Sequence, residues 1–437
     1  GDGGDAADDT EAPDETTATT EAPTETTAVT PTTGETAPPE RQAVTMWYHG
    51  AGNDTEASIL NGIIEDFNES QDTWFVERQD FPQENYNESV VGAALSGTLP
   101  DIIDVDGPIM PNWAWAGYMS PLEIDESVIA DFLPGTLGYW DGELYSVGLW
   151  DAAVAVYARE SVLNEFGIRI PTLDEPWTLE EFDAALVAFQ DSGQFEFAFD
   201  PGMAWTGEWY PYAFSPFLQS FGGDIICRDT YLTAEDCLNN DAAIEFGEWW
   251  GSLFERGLAP GTSQSADERE TGFIDGDYAL QWNGNWAGVA TLEAVGDDLI
   301  FLPAPDFGNG PVIGAASWQF GVAADSEVKD GANAFIEFAL QDQYLANFSD
   351  GIGLIPSTLS AAGMSENYAP GGSLEVFFEL SNQQALIRPP TPAYLNAALA
   401  FEKAMRDIAD GADPATALDS ATDDINADIE ANDGYGF

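Results

Sequence analysis

From Val44 onward, strand-like and helix-like runs alternate in β-α-β-α order, which predicts an α/β fold of parallel-rich sheets flanked by helices. Two totals support this. A chain of 437 residues is long enough for two or three domains with real cores. Its 14 Trp, 14 Tyr and 26 Phe, within a hydrophobic share of 44%, supply the apolar mass such cores need.

Val44–His49 reads as the first strand. Glu56–Asn68 follows as an amphipathic helix with Ile59, Ile63, Ile64 and Phe67 on one face. Trp74–Arg78 is a second strand, Tyr86–Ser96 a helix and Asp101–Val105 a buried strand. Ala152–Ala158 is a strand after which the pattern changes partners, and Ser317–Ala323 is another. Further helices are expected at Leu179–Gln190, Ala242–Glu255, Asp330–Leu340 and Leu395–Asp410, with a last one beginning near Pro414. No stretch of about 18 apolar residues occurs, so no membrane-spanning helix is expected.

Residues 1–42 differ in kind. They form a Thr/Glu/Pro/Ala tract, with Thr-Glu-Ala-Pro at 10–13 and again at 20–23. Almost no large apolar residue is present, so burial cannot offset the entropy of ordering, and a disordered spacer is expected. Its threonines could carry O-glycans.

Charge narrows the function. Asp and Glu number 78 against 11 Lys and Arg, and only eleven of the acids lie in residues 1–40. The folded part itself is therefore strongly acidic. Nucleic acid and anionic lipid need clustered basic groups, and none exists here. Such a surface with only two lysines suits work in concentrated salt, where screening shortens the Debye length to about 3 Å near 1 M. A halophilic or marine source is expected, with a merely acidic proteome as the alternative.

Catalytic chemistry has few carriers. His49 is the sole histidine, so histidine-rich metal sites are impossible and a nucleophile–base pair has one possible base. No phosphate-cradling G-x-x-x-x-G-K-[ST] and no G-x-G-x-x-G fingerprint occurs. Asp104 and Asp106 flank Val105 and project from one side of an extended strand, as a glycosidase pair or the start of a calcium loop would. The further ligands of a calcium loop do not follow. No metal and no cofactor is expected.

An ordered string of motifs points elsewhere. It runs Leu99-Pro-Asp-Ile-Ile-Asp104, Trp140-Asp-Gly-Glu-Leu-Tyr145, Val156-Tyr-Ala-Arg-Glu160, Phe217-Leu-Gln-Ser-Phe-Gly-Gly-Asp224, Phe273-Ile-Asp-Gly-Asp-Tyr-Ala-Leu280 and Trp282-Asn-Gly-Asn-Trp286. In this order and spacing the chain resembles the family 1 extracellular solute-binding proteins of ABC importers, the group that includes maltose-binding proteins. The resemblance covers roughly 43–430. It implies a two-lobed periplasmic-binding-protein fold of type II, each lobe a helix-flanked sheet, with ligand in the cleft between them. Lobe one would comprise 43–149 plus 316–361 and lobe two 152–314 plus 362–437, with hinges near 149–152, 314–317 and 361.

The family's function implies capture of a neutral mono- or oligosaccharide outside the cell and delivery to a membrane permease by hinge closure. A cationic osmolyte or polyamine is the rival ligand, and a secreted carbohydrate-active enzyme the rival class. A monomer is expected, cell-surface or periplasmic, tethered by a lipidated cysteine ahead of Gly1. In such a compartment Cys227 and Cys237, ten residues apart, are expected to form a disulfide, with two buried thiols as the alternative.

Carried over by motif, the ligand contacts fall in seven places. The loop Trp47-Tyr-His-Gly-Ala-Gly-Asn53 offers His49, Gly52 and Asn53, and the Asp101–Val105 strand leads to Asp104 and Asp106. Trp150 and Asp151 end the first crossover. Trp209-Tyr-Pro-Tyr212 matches an aromatic platform with Tyr210 and Tyr212 nearest the pocket, although the family's frequent acid is here Tyr210. Asn283 and Trp286 lie in the last motif, Trp286 being the principal stacking residue. Gly314-Ala-Ala-Ser-Trp318 contributes Ser317 and Trp318. Arg388 in Leu-Ile-Arg-Pro-Pro-Thr-Pro-Ala-Tyr394 either bonds ligand or pairs with an acid. Aromatic faces suit the apolar side of a sugar ring, and planar polar groups suit its hydroxyls.

Overall fold

A computed structural model describes residues 41–51, 53–315 and 318–436. Residues 1–40 of the expected spacer, together with Gly52 and Ser317, lie outside the described residues. The strands in chain order are β1 (Gln42–Tyr48), β2 (Trp74–Asp80), β3 (Ile102–Asp106), β4 (Met119–Ser120), β5 (Leu137–Trp140), β6 (Glu143–Val147), β7 (Trp150–Asp151), β8 (Val154–Arg159), β9 (Phe197–Asp200), β10 (Tyr278–Gly284), β11 (Leu299–Leu302), β12 (Ile313–Gly314), β13 (Trp318–Ala323), β14 (Ile355–Pro356) and β15 (Ala385–Leu386).

Each of two lobes is built on its own sheet. The first sheet has the order β2-β1-β3-β13-β6-β5, with β4 also paired to β13; the second has the order β11-β8-β10-β9. Two short pairs, β7 with β14 and β12 with β15, stand apart from both. The sheets are mixed rather than parallel-rich. β1 runs parallel to β2 and β3, as β-α-β units require. β13, however, reaches the first sheet from the other lobe and pairs antiparallel with β3, β4 and β6. β8 is likewise antiparallel to β10 and β11.

Local chemistry sets the elements. Helix Asp54–Ser70 is capped by Asn53, whose side chain accepts from the Glu56 amide, and it buries Leu60, Ile63, Ile64 and Phe67. The β5–β6 hairpin turns through Asp141 and Gly142, both at positive φ, which a two-residue turn demands. Thr178 and Glu181 form a capping box on helix Leu179–Ser192. Cys227 and Cys237 are joined in a disulfide with Cα atoms 5.5 Å apart.

One apolar core gathers Val44, Met46, Ile63, Phe335 and Ile336 around the first sheet. The larger core packs Val156, Phe182, Phe217, Trp250 and Trp282 around the second. Half-buried Trp286 packs against both. Among the described residues no helix is long and apolar enough to cross a membrane.

Candidate functional site

The end of β1 and the end of β3 deliver the polar wall of the first lobe. His49 is buried, and its Nδ1 bonds the Asp104 carboxylate, which also accepts from the His49 amide at 3.3 Å. The imidazole stacks on Trp318, centroids 3.9 Å apart and planes 12° apart, because β13 starts opposite the end of β3. On its other side, Nε2 lies 3.7 Å from Glu56. Glu56 is fixed by the Tyr48 hydroxyl and by Asn53 Nδ2 at 2.7 Å.

Burial works against an imidazolium at His49, yet Asp104, Glu56 and Asp106 outweigh it and raise the imidazole pKa. Burial raises the Asp104 pKa despite the opposing His49. Asp106 is pushed up to about 6 by burial, with Arg388 opposing.

Helix Trp209–Phe221 and the end of β10 supply an aromatic wall on the second lobe. Trp286 lies 6.1 Å from Tyr212, 6.3 Å from Trp209 and 6.2 Å from Trp205, centroid to centroid. The Tyr212 hydroxyl is buried without a hydrogen-bond partner among the described residues, and it feels the charges of Asp151, Arg388 and Asp106. Trp286 also lines a cavity of about 410 Å³ with Asn53, Glu56, Val289 and Asp350, so residues of both lobes share one space.

Arg388 spans the lobes. Its Nη1 donates to Glu208 at 2.6 Å, and Nη2 lies 3.9 Å from Asp106. The Tyr394 hydroxyl also donates to Glu208, at 2.7 Å. Burial opposes the Arg388 charge, but Tyr394, Asp106 and Glu208 outweigh it and raise its pKa. The acid-pairing alternative for Arg388 is therefore the arrangement seen.

Two expected contacts belong instead to cores. Tyr210 is fully buried against Phe214, Met203 and Arg406, because one helical step turns it away from Trp209 and Tyr212. Trp150 packs on Phe348, centroids 4.5 Å apart, inside the first core. Asp151 and Asn283 are buried and engaged: Asp151 accepts from the Ala152 amide and the Ser381 hydroxyl, while Asn283 donates to Gln281 and accepts from the Gly284 amide.

Residues 62–370 match the model of the family described as bacterial extracellular solute-binding protein. The chain belongs to this family. A Streptomyces antibioticus protein described as an uncharacterized lipoprotein is 23% identical over 277 residues, 61% of this chain and 59% of the relative, so the match spans about three fifths of that relative. Among solved structures, the GacH receptor of Streptomyces glaucescens, known unliganded and with acarbose, aligns with a TM-score of 0.72 at 20% identity, covering 89% of this chain and 98% of the other. The cyclic alpha-maltosyl-1,6-maltose binding protein of Arthrobacter globiformis aligns with a TM-score of 0.74 at 22% identity, covering 89% and 99%. A Staphylococcus aureus solute-binding protein in complex with maltose gives 0.71 at 19%, covering 89% and 98%.

In this solute-binding protein three site residues escaped sequence reasoning: Trp205, Glu208 and Glu56. Trp205 meets Trp209 edge-on at 4.6 Å. Its one sequence signal is the density of aromatic and glycine residues between Gly202 and Trp209. Glu208 and Glu56 carried none, being two acids among 78.

Proposed function

We propose that the protein captures a neutral mono- or oligosaccharide outside the cell and presents it, by hinge closure, to an ABC permease. One observation carries this reading. Trp286, which groups with Trp205, Trp209 and Tyr212, shares a cavity with Asn53 and Glu56, and Glu56 in turn lies against His49, which bonds Asp104. Aromatic faces bury the C–H side of a pyranose, while carboxylates and amides take its hydroxyls. The wall on each lobe gives a ligand contacts that only the closed form makes together, which is what a ligand needs to shift the hinge equilibrium.

An anionic ligand would need a free cation, and Arg388 already holds Glu208 and faces Asp106. Two similar structures in complex with acarbose or maltose, and a third of a protein named for binding cyclic alpha-maltosyl-1,6-maltose, favour α-glucan-like ligands. We assign lobe one to 43–149 plus 316–361 and lobe two to 152–314 plus 362–437; β7–β14 and β12–β15 serve as hinge strands. The protein acts as a monomer without catalysis, and a lipid anchor preceding the Thr-rich spacer tethers it at the cell surface.

The test is thermal unfolding in about 2 M salt against maltodextrins, other neutral sugars, polyamines, betaines and sugar phosphates. Ligand at a hundredfold excess over Kd stabilises by about 2.7 kcal/mol. A rise with neutral sugars alone, abolished by Trp286→Ala, is expected. A response confined to polyamines or betaines, or turnover of a glycoside, would overturn the reading.

A further inference from the structure

We propose that Arg269 is a specificity-determining residue, whose guanidinium lies against the aromatic wall and keeps organic cations off it. The proposal rests on reading that wall as the ligand surface. Arg269 is almost fully buried, and its guanidinium carbon sits 3.9 Å from the Trp205 ring centroid and 5.2 Å from that of Trp209. Nη1 donates to Asp200 and Nη2 to the Trp282 carbonyl, both at 2.9 Å. Arg388 repeats the arrangement at 5.1 Å from the Tyr212 centroid. Three of the four rings in the cluster thus carry an internal guanidinium.

An ion pair for its own sake does not require this placement. Asp200 already accepts from the Gly202 amide, Gln264 and Gln281. The backbone is also cut away to admit the guanidinium. Gly202 sits at φ 93°, and a Cβ there would lie 2.8 Å from both the Arg269 guanidinium carbon and Trp209 Nε1. The chain has only nine arginines, which makes two of them beneath one wall a specific investment of positive charge.

The physical consequence is selective. An aromatic ring attracts a cation to either face through its quadrupole. A guanidinium held on one face takes up that potential and repels a second cation on the other. Apolar C–H packing of a neutral ligand does not depend on the ring's charge and is left intact. The need is plain in a protein of net charge −67, which gathers cations around itself. An unguarded aromatic cleft on such a surface would fill with quaternary ammonium compounds and polyamines.

The experiment is calorimetric titration of the full chain in about 2 M NaCl with tetramethylammonium and, separately, maltotriose. The charge-balanced variant Arg269→Met/Asp200→Asn removes the guanidinium without stranding a buried carboxylate. It should bind tetramethylammonium about tenfold or more tightly than wild type while its maltotriose affinity stays within about threefold. Arg269→Lys, which keeps a cation beside Asp200, should go on rejecting tetramethylammonium. Equal tetramethylammonium affinity in wild type and double variant would overturn the proposal, as would parallel loss of both ligands from a folded double variant. Should the double variant fail to fold, Arg269→Gln/Asp200→Asn replaces it, and wild-type affinity for tetramethylammonium matching that for maltotriose overturns the idea unaided. If wild type binds no sugar, the capture reading fails, but the tetramethylammonium comparison still decides the role of Arg269.

Discussion

His49 sits between a carboxylate and an indole, and its charge is set by which neighbour dominates. Burial favours the neutral ring, while Asp104, Glu56 and Asp106 favour the imidazolium and win, so the native pKa is raised from 6.5. A raised native value means the folded state holds the proton to higher pH than the unfolded chain does. The stabilisation is complete below about 6.5 and is lost as pH rises through the native value. Asp104, raised from 3.8, has the same sign, since the native state again binds more protons than the unfolded one. Stability carried by this pair therefore declines with rising pH. Because the chain has one histidine, proton NMR of a single imidazole resolves the titration. The midpoint should lie above 6.5 in wild type and fall below it in Asp104→Asn, where burial loses its main opponent; an unmoved midpoint would sink the assignment. The neighbourhood of His49, Asp104 and Trp318 was legible in the sequence because His49 directly follows β1, Asp104 lies within β3 and Trp318 opens β13, three strands whose apolar runs the sequence marks. Tyr210 was misread for want of its helix. As an extended or looped residue it could share a face with Tyr212, but a helical step of about 100° separates neighbours and turns it into the core.

The helix Trp209–Phe221 and the strand β10 hid from sequence reasoning for one reason, that amphipathic period needs a polar face. Twelve of the helix's thirteen residues are buried, and Pro216 lies inside it. All seven residues of β10 are buried. Elements with one wet face, such as Asp54–Ser70 and Asp241–Glu255, matched their expected spans to within two residues at either end. The crossovers explain the other misreading, parallel-rich sheets, since β13 reaches its sheet from the second lobe and pairs antiparallel. One glycine couples such a crossover to the site. A Cβ on Gly314 in β12 would lie 2.1 Å from the Tyr212 carbonyl oxygen, an atom fixed in the helix that carries the aromatic wall. Gly314→Ala should push that helix away, destabilising the protein by about 1–3 kcal/mol and lowering ligand affinity through a displaced Tyr212. Denaturant unfolding and ligand titration check both effects. Unchanged stability would mean the strand and helix slide apart freely, and the close approach has no structural weight.

At the scale of the molecule, the charge decides under what conditions the fold persists. A net charge of −67 on 437 residues opposes compaction through self-repulsion, and with 11 basic residues few of the acids can be neutralised by pairing. The described ion pairs place several of those bases inside, as at Arg78–Asp80 and Arg269–Asp200, where they serve the cores rather than the surface. Surface repulsion must then be handled by solvent ions. At 0.1 M salt the Debye length is about 10 Å and neighbouring carboxylates feel one another; near 1 M it is about 3 Å and they scarcely do. The unfolded chain, being more expanded, gains less from this screening, so salt stabilises the folded state. For domains of roughly 150–250 residues 1 kcal/mol moves Tm by about 2–4 °C, so a gain of only ~5 kcal/mol reads as roughly 10–20 °C. Thermal unfolding between 0.1 and 2 M NaCl should show a rise of that order, steepest below about 1 M, where the Debye length changes most. The same rise should appear with KCl but not with sucrose at equal osmolality, which separates screening from general exclusion of cosolute. A Tm that stays flat with salt, or follows sucrose as closely as NaCl, would remove high salinity as the setting for which this surface is built.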